Sequence, residues 1–152
     1  MGRLAGAAAY GAFQTLFFSL LLLPFGMSIK GGPLGVLVMV ISGGLIAIAI
    51  SGFMAAAALK TGSSEAVQGI FPLVFIMLFF SSAFFPRQTM SGAYKHIADF
   101  NPISHLIEGM RDICIDGLSS GAIARAILVP IAIMIVSFTL ALRALAQRIA
   151  AQ

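Results

Sequence analysis

Four stretches of this chain carry no charged side chain, and they set its organisation. Arg3 to Lys30, Lys30 to Lys60, Glu65 to Arg87 and Arg125 to Arg143 bound runs that are apolar almost throughout. Each gap can hold a membrane helix of roughly 17–25 residues. The pattern predicts an all-α integral membrane protein with four transmembrane helices, over about 4–25, 34–59, 65–85 and 123–145. A segment of different character, 86–117, separates the last two.

Within the spans, local chemistry sharpens the picture. Pro24 and Gly26 end the first, and Ser28 to Pro33 makes a short turn. In the second, Gly43, Ala47, Ser51 and Ala55 recur every four residues on one face. Such a ribbon lets a neighbouring backbone approach closely, which matters because lipid gives no hydrophobic drive for helix association. It serves either packing within the chain or a subunit interface. Ser64 is the expected N-cap of the third span, with Glu65 at the positive end of the helix dipole. Pro72, lacking an N–H, should kink that span near its second turn. Phe75, Phe79, Phe80, Phe84 and Phe85 then make its upper half aromatic, for lipid contact or as a wall beside a substrate. Pro130 should bend or loosen the fourth span.

The intervening segment is itself half apolar. Tyr94, Ile97 and Ala98 fall on one side of Ser91 to Phe100, with Lys95, His96 and Asp99 elsewhere. Asn101 can cap a new helix, and Pro102 suits its first position. Ile103, Leu106, Ile107, Met110 and Ile113 or Cys114 then repeat at helical spacing, opposite His105, Glu108 and Asp112. Two short helices at this length, flanked by spans, read as interfacial or re-entrant. Glu108 and Arg111 stand three residues apart and can pair on one turn, either neutralised near the headgroups or solvated.

Composition agrees. Hydrophobic residues make up 60% of the chain and charged ones 9%. Mean hydropathy is +1.06, more apolar surface than one soluble core of this length could enclose. The first span far exceeds the ~7–15 apolar residues of a signal-peptide core, and Gly6 stands where a myristoylation motif needs Ser or Thr. The lone Cys114 leaves no internal disulfide. Net charge is +4, and Arg143 and Arg148 read as an interfacial anchor, since no basic cluster points to nucleic acid.

Glu65, Arg125 and Arg143 stand only at span ends and no Asp, Glu, Lys, Arg or His lies deeper inside a span, so the ionisable group that ion-coupled transport normally uses is missing. The chain has no GxxxxGK[ST] loop, HExxH or GxSxG motif. His96 and His105 fall on different short helices and do not suggest a metal. The sequence therefore predicts no catalytic, cofactor or metal site; if the protein moves something, the energy comes from another chain.

Phe71-Pro72, Phe84-Phe85-Pro86, Met90, Gly92, Ile97-Ala98, Asn101-Pro102, Glu108 and Arg111 together resemble the C-terminal signature of ABC-2 type permeases, daunorubicin-resistance-like exporters in particular. Ser91 and Tyr94 depart from the proline and tryptophan common in that pattern. The resemblance implies a permease subunit of a bacterial plasma membrane, paired with a second permease copy and with ABC ATPase subunits that bind the ATP. It implies export of an amphipathic, lipid-linked, glycan or drug-like molecule. The gate or signature positions it marks are Pro72, Phe84, Phe85, Pro86, Asn101, Pro102, Glu108 and Arg111. Such permeases usually have six helices and a cytoplasmic loop that docks on the ATPase. By that analogy this chain begins at about the third helix, as a truncated product, a fragment or a half that needs a partner. The rival expectation is a membrane scaffold or assembly subunit without transport.

Charge alone does not orient the chain. Arg3, Lys60, Arg143 and Arg148 fall on one side, against Lys30, Arg87, Lys95, Arg111 and Arg125 on the other. The positive-inside rule is then silent, and the resemblance implies cytoplasmic termini.

Overall fold

The computed structural model describes residues 2–150, apart from the side chains of residues 64 and 66. Its helices are α1 (Gly2–Leu22), α2 (Gly32–Thr61), α3 (Ser64–Gln68), α4 (Ile70–Phe79), α5 (Gly92–Phe100), α6 (Pro102–Ile115) and α7 (Ser120–Ala150). Among the described residues, three helical stretches are long and apolar enough to cross a membrane: Gly2–Phe25, Gly32–Thr61 and Ser120–Ala150. At ~1.5 Å per residue, α2 and α7 are each about 45 Å long, well beyond a ~30 Å hydrocarbon core.

The expected third span is different. It divides at Gly69 into α3 and α4, and α4 ends at Phe79, short of Phe85. Pro72 explains the division, because it has no N–H to give the carbonyl four residues back, that of Gln68. The break therefore falls a turn earlier than a simple kink at the proline. The early end follows from Ser81: its hydroxyl donates to the Leu78 carbonyl at 2.6 Å and accepts from the Ala83 N–H at 3.2 Å. A serine that bonds its own backbone this way offers the chain an alternative to helix. The N-cap of α3 is Ser63, whose side chain accepts from the Glu65 N–H, and not Ser64.

α2 is the hub, packed against α1 on one side and α7 on another. Small residues make both contacts. A Cβ on Gly11 of α1 would lie 2.5 Å from the Gly43 carbonyl oxygen and 2.6 Å from the Ala47 Cβ. Gly43 and Ala47 thus face α1. Ser51 turns its hydroxyl back to the Ala47 carbonyl, and Ala55 is exposed. The α7 contact uses other positions of α2, Ser42 and Gly52; a Cβ on Gly52 would lie 2.4 Å from Ser137 Oγ.

α7 runs through Pro130 as one helix. Pro130 cannot donate to the Ala126 carbonyl, and the Ser42 hydroxyl of α2 donates to that carbonyl instead, at 2.6 Å. The donor missing from one helix is supplied by its neighbour, the compensation that membrane prolines need.

A small core of Met39, Ile113, Ala122 and Ala126 joins α2, α6 and α7. The α1–α2 turn closes over it: the Lys30 and Gly31 N–H groups donate to the Cys114 and Ile113 carbonyls, both at 3.0 Å. Burial in this region pushes the Cys114 thiol pKa up.

Candidate functional site: a hairpin seated on the end of α4

The C-terminus of α4 lies among apolar side chains, where its last four carbonyls have no partner within the helix. In lipid each such group left unpaired costs several kcal/mol, yet all four are satisfied. The Phe80 N–H donates to Ile76, and the Ser81 N–H and hydroxyl both donate to Leu78. The other two donors come from the α5–α6 hairpin. Asn101 Nδ2 donates to the Met77 carbonyl at 2.6 Å, and the Tyr94 hydroxyl donates to the Phe79 carbonyl.

Asn101 serves two helices at once. Its Oδ1 accepts from the Ile103 N–H at 3.0 Å, the N-cap of α6, with Pro102 at the first position as its fixed φ favours. One amide side chain thereby starts α6 and ends α4. Asn101 also ends α5, where its N–H bonds the Ala98 carbonyl at 3.3 Å.

Two successive contacts extend the junction. The Ser82 N–H donates to Ser104 Oγ at 3.1 Å, and the Ser82 hydroxyl donates to the Ser104 carbonyl at 3.2 Å. Ser81, Ser82 and Ser104 are fully buried. Arg111 Nη2 donates to the Ser82 carbonyl at 2.6 Å. Ser104, Glu108 and Arg111 lie three to four residues apart, so they share a stripe of α6 facing the turn after α4.

Glu108 does not pair with Arg111. Its side chain, only 10% exposed, receives a two-point contact from Arg87, which follows Pro86 in a short 3-10 turn. Arg87 also reaches Asp99 of α5 at 3.2 Å. On the other side of Glu108, Arg125 of α7 lies 3.8 Å away and bonds Asp112 at 2.6 Å. Hydrogen bonding to Glu108, more than any other influence, raises the Arg87 pKa above its ordinary value. Arg87 and Arg125 thus meet three carboxylates while Arg111 holds the Ser82 carbonyl, and together these contacts tie the turn after α4, α5, α6 and α7 to one another. The expectation that Glu108 lies opposite the buried face of α6 is corrected: α6 is buried on two sides, by Leu106, Gly109 and Ile113 and by Ser104 and Glu108.

The remaining signature positions divide. Phe84 and Phe85 are exposed, and Phe84 stacks on Phe79 with ring centroids 5.3 Å apart. Pro72 is exposed and acts on the backbone alone. Beside the junction an open groove of about 580 Å³ is walled by Ile76, Met77, Phe80, Ile97 and Phe100. His96 lines the same groove, whereas His105 Nε2 lies 2.9 Å from the Asp99 carbonyl oxygen. Among the described residues, no three His, Cys, Asp or Glu side chains converge as a metal site would require.

Sequence reasoning missed Arg87 and Arg125 as partners of Glu108, Asp99 and Asp112 as the further partners of those arginines, and the Ser82–Ser104 contact. Their separations of 12 to 22 residues leave no periodic signal. The one available hint was that a carboxylate beside an apolar stripe needs a cation.

This arrangement holds the α5–α6 hairpin against the end of α4. Comparisons with curated proteins and with solved structures gave no match. The model of the family described as "ABC-2 family transporter protein" matches residues 1–143. Such permeases are normally non-catalytic membrane subunits that work with an ATPase, and this chain, a membrane protein with three candidate spans, belongs to the ABC-2 transporter family.

Proposed function

We propose that the chain forms the C-terminal membrane helices of an ATP-driven exporter, energised by a separate ATPase chain and paired with a second permease copy. On this reading the termini are cytoplasmic, the membrane is a bacterial plasma membrane, and the broken α3–α4 pair crosses it as a fourth span. The α5–α6 hairpin sits at the outer side and gates the exit. The supporting observation is the seat of the hairpin: Asn101 and Tyr94 supply the donors that the end of α4 requires. A hairpin that leaves this seat strands two carbonyls, so it rests closed unless driven. The groove walled by Phe80, Ile97 and Phe100 suits an amphipathic cargo, such as a lipid-linked, glycan or drug-like molecule.

The test is reconstitution of the permease with its ATPase in vesicles, scoring ATP-dependent movement of a fluorescent amphipath, together with cysteine labelling from outside cells in a Cys114→Ala background. Gly92 and Gly62 have positive φ, where a cysteine would be strained, so the exposed Gln88 and Gln147 carry the probes. The reading expects transport, with labelling at residue 88 and none at 147. Reversed labelling, or ATP turnover with no movement of any amphipath, would overturn it.

A further inference from the structure

The opposite end of the bundle holds a site that the transport reading does not use. Where α2 and α7 finish side by side, Lys60, Arg143 and Arg148 surround two adjoining cavities that share Lys60, Ala144 and Gln147. The outer one, about 320 Å³, is bordered by Gly62, Gln147 and Arg148. The inner one, about 360 Å³, runs down the helix pair between Phe53, Ala56, Ala57 and Leu140. From the geometry we infer a binding site for one anionic glycerophospholipid. The cations and Gln147 hold its phosphate, and an acyl chain lies in the apolar cleft below.

Charge complementarity carries the assignment. At the hairpin end, Arg87 and Arg125 are taken up by Asp99, Glu108 and Asp112. None of the ion pairs among the described residues involves Lys60, Arg143 or Arg148. Nor does capping of α2 consume them, because the Ala57 and Ala58 carbonyls already accept from the Thr61 hydroxyl and the Gly62 N–H. Basic pockets between membrane helices at headgroup depth are suited to anionic lipid heads. A polar mouth opening directly into an apolar cleft fits a molecule with both parts and does not fit a free anion.

The experiment uses the full chain in detergent, with lipid occupancy read by native mass spectrometry. Dioleoyl phosphatidylglycerol is the probe, dioleoyl phosphatidylcholine the neutral control, and glycerol 3-phosphate the soluble competitor. The expected result is one tightly retained phosphatidylglycerol, weakened about fivefold for each cation replaced in Lys60→Gln, Arg143→Gln and Arg148→Gln. Arg148→Lys should retain it, and Lys30→Gln/Lys95→Gln, which removes charge from the other end, should change nothing. Ala56→Trp, filling the cleft, should displace the lipid while leaving every cation in place. Equal retention of the choline lipid, equal loss in the Lys30/Lys95 variant, or full competition by glycerol 3-phosphate would each overturn the proposal. If the glutamine variants fail to fold, Ala56→Trp and Arg148→Lys still decide it.

Discussion

Replacing Glu108 by alanine is the sharpest perturbation available. The side chain is 10% exposed and that of Arg87 21%, so the pair is largely out of water. Removing one member of a buried pair typically costs about 3–5 kcal/mol, because the other charge is stranded. Asp99 remains beside Arg87, but it is 40% exposed and compensates only in part. We expect Glu108→Ala to cost about 2–4 kcal/mol after that discount for solvent screening. At ~2–4 °C per kcal/mol for chains of this size, the midpoint should fall by roughly 4–16 °C. Cys114 provides the assay, since the thiol is half-buried and a thiol-reactive dye reports its exposure on heating in detergent. A double-mutant cycle then identifies the partner. Glu108→Ala with Arg87→Ala should show coupling of about 1.5–3 kcal/mol, and Glu108→Ala with Arg111→Ala less than about 0.5. Strong coupling to Arg111 with none to Arg87 would refute the cluster and restore the pairing expected from spacing alone.

Other consequences are as specific. Ser42→Ala should cost about 1–2 kcal/mol in wild type by leaving the Ala126 carbonyl unpaired, and much less beside Pro130→Ala, which returns the helical donor; the same thiol assay measures both, and purely additive effects would contradict the account. Asn101→Asp keeps the acceptor that caps α6 but loses the donor to the Met77 carbonyl. It should therefore leave the helical content by circular dichroism unchanged while lowering the midpoint and raising protease cleavage near Gln88.

How far these features were legible in the sequence follows the range of the forces involved. Length and charge-free runs placed α1, α2 and α7, because lipid demands long apolar helices and little else produces them. The Asn101-Pro102 cap was legible because capping is local. The third span was misjudged at its C-terminal end. Hydropathy saw an unbroken run to Phe85, but Pro72 removes one backbone donor and Ser81 and Ser82 redirect others, so α4 stops at Phe79. Glu108 was marked for the right reason and given the wrong partner. Spacing reports neighbours on one helix, whereas Arg87 reaches it through a turn that only the folded chain brings near. Pro130 shows the same limit, since the hydroxyl that supplies its missing donor lies 84 residues from the Ala126 carbonyl it serves.

The central claim is that the α5–α6 hairpin must leave the end of α4 for cargo to exit. Ser82 and Ser104 meet at that junction, with the Ser82 nitrogen 3.1 Å from Ser104 Oγ. Ser82→Cys/Ser104→Cys in a Cys114→Ala background allows the hairpin to be locked by mild oxidation in vesicles that contain the ATPase. The account predicts that bridging abolishes ATP-driven movement of a fluorescent amphipath and that a reductant restores it. Undiminished transport by the fully bridged protein would contradict it.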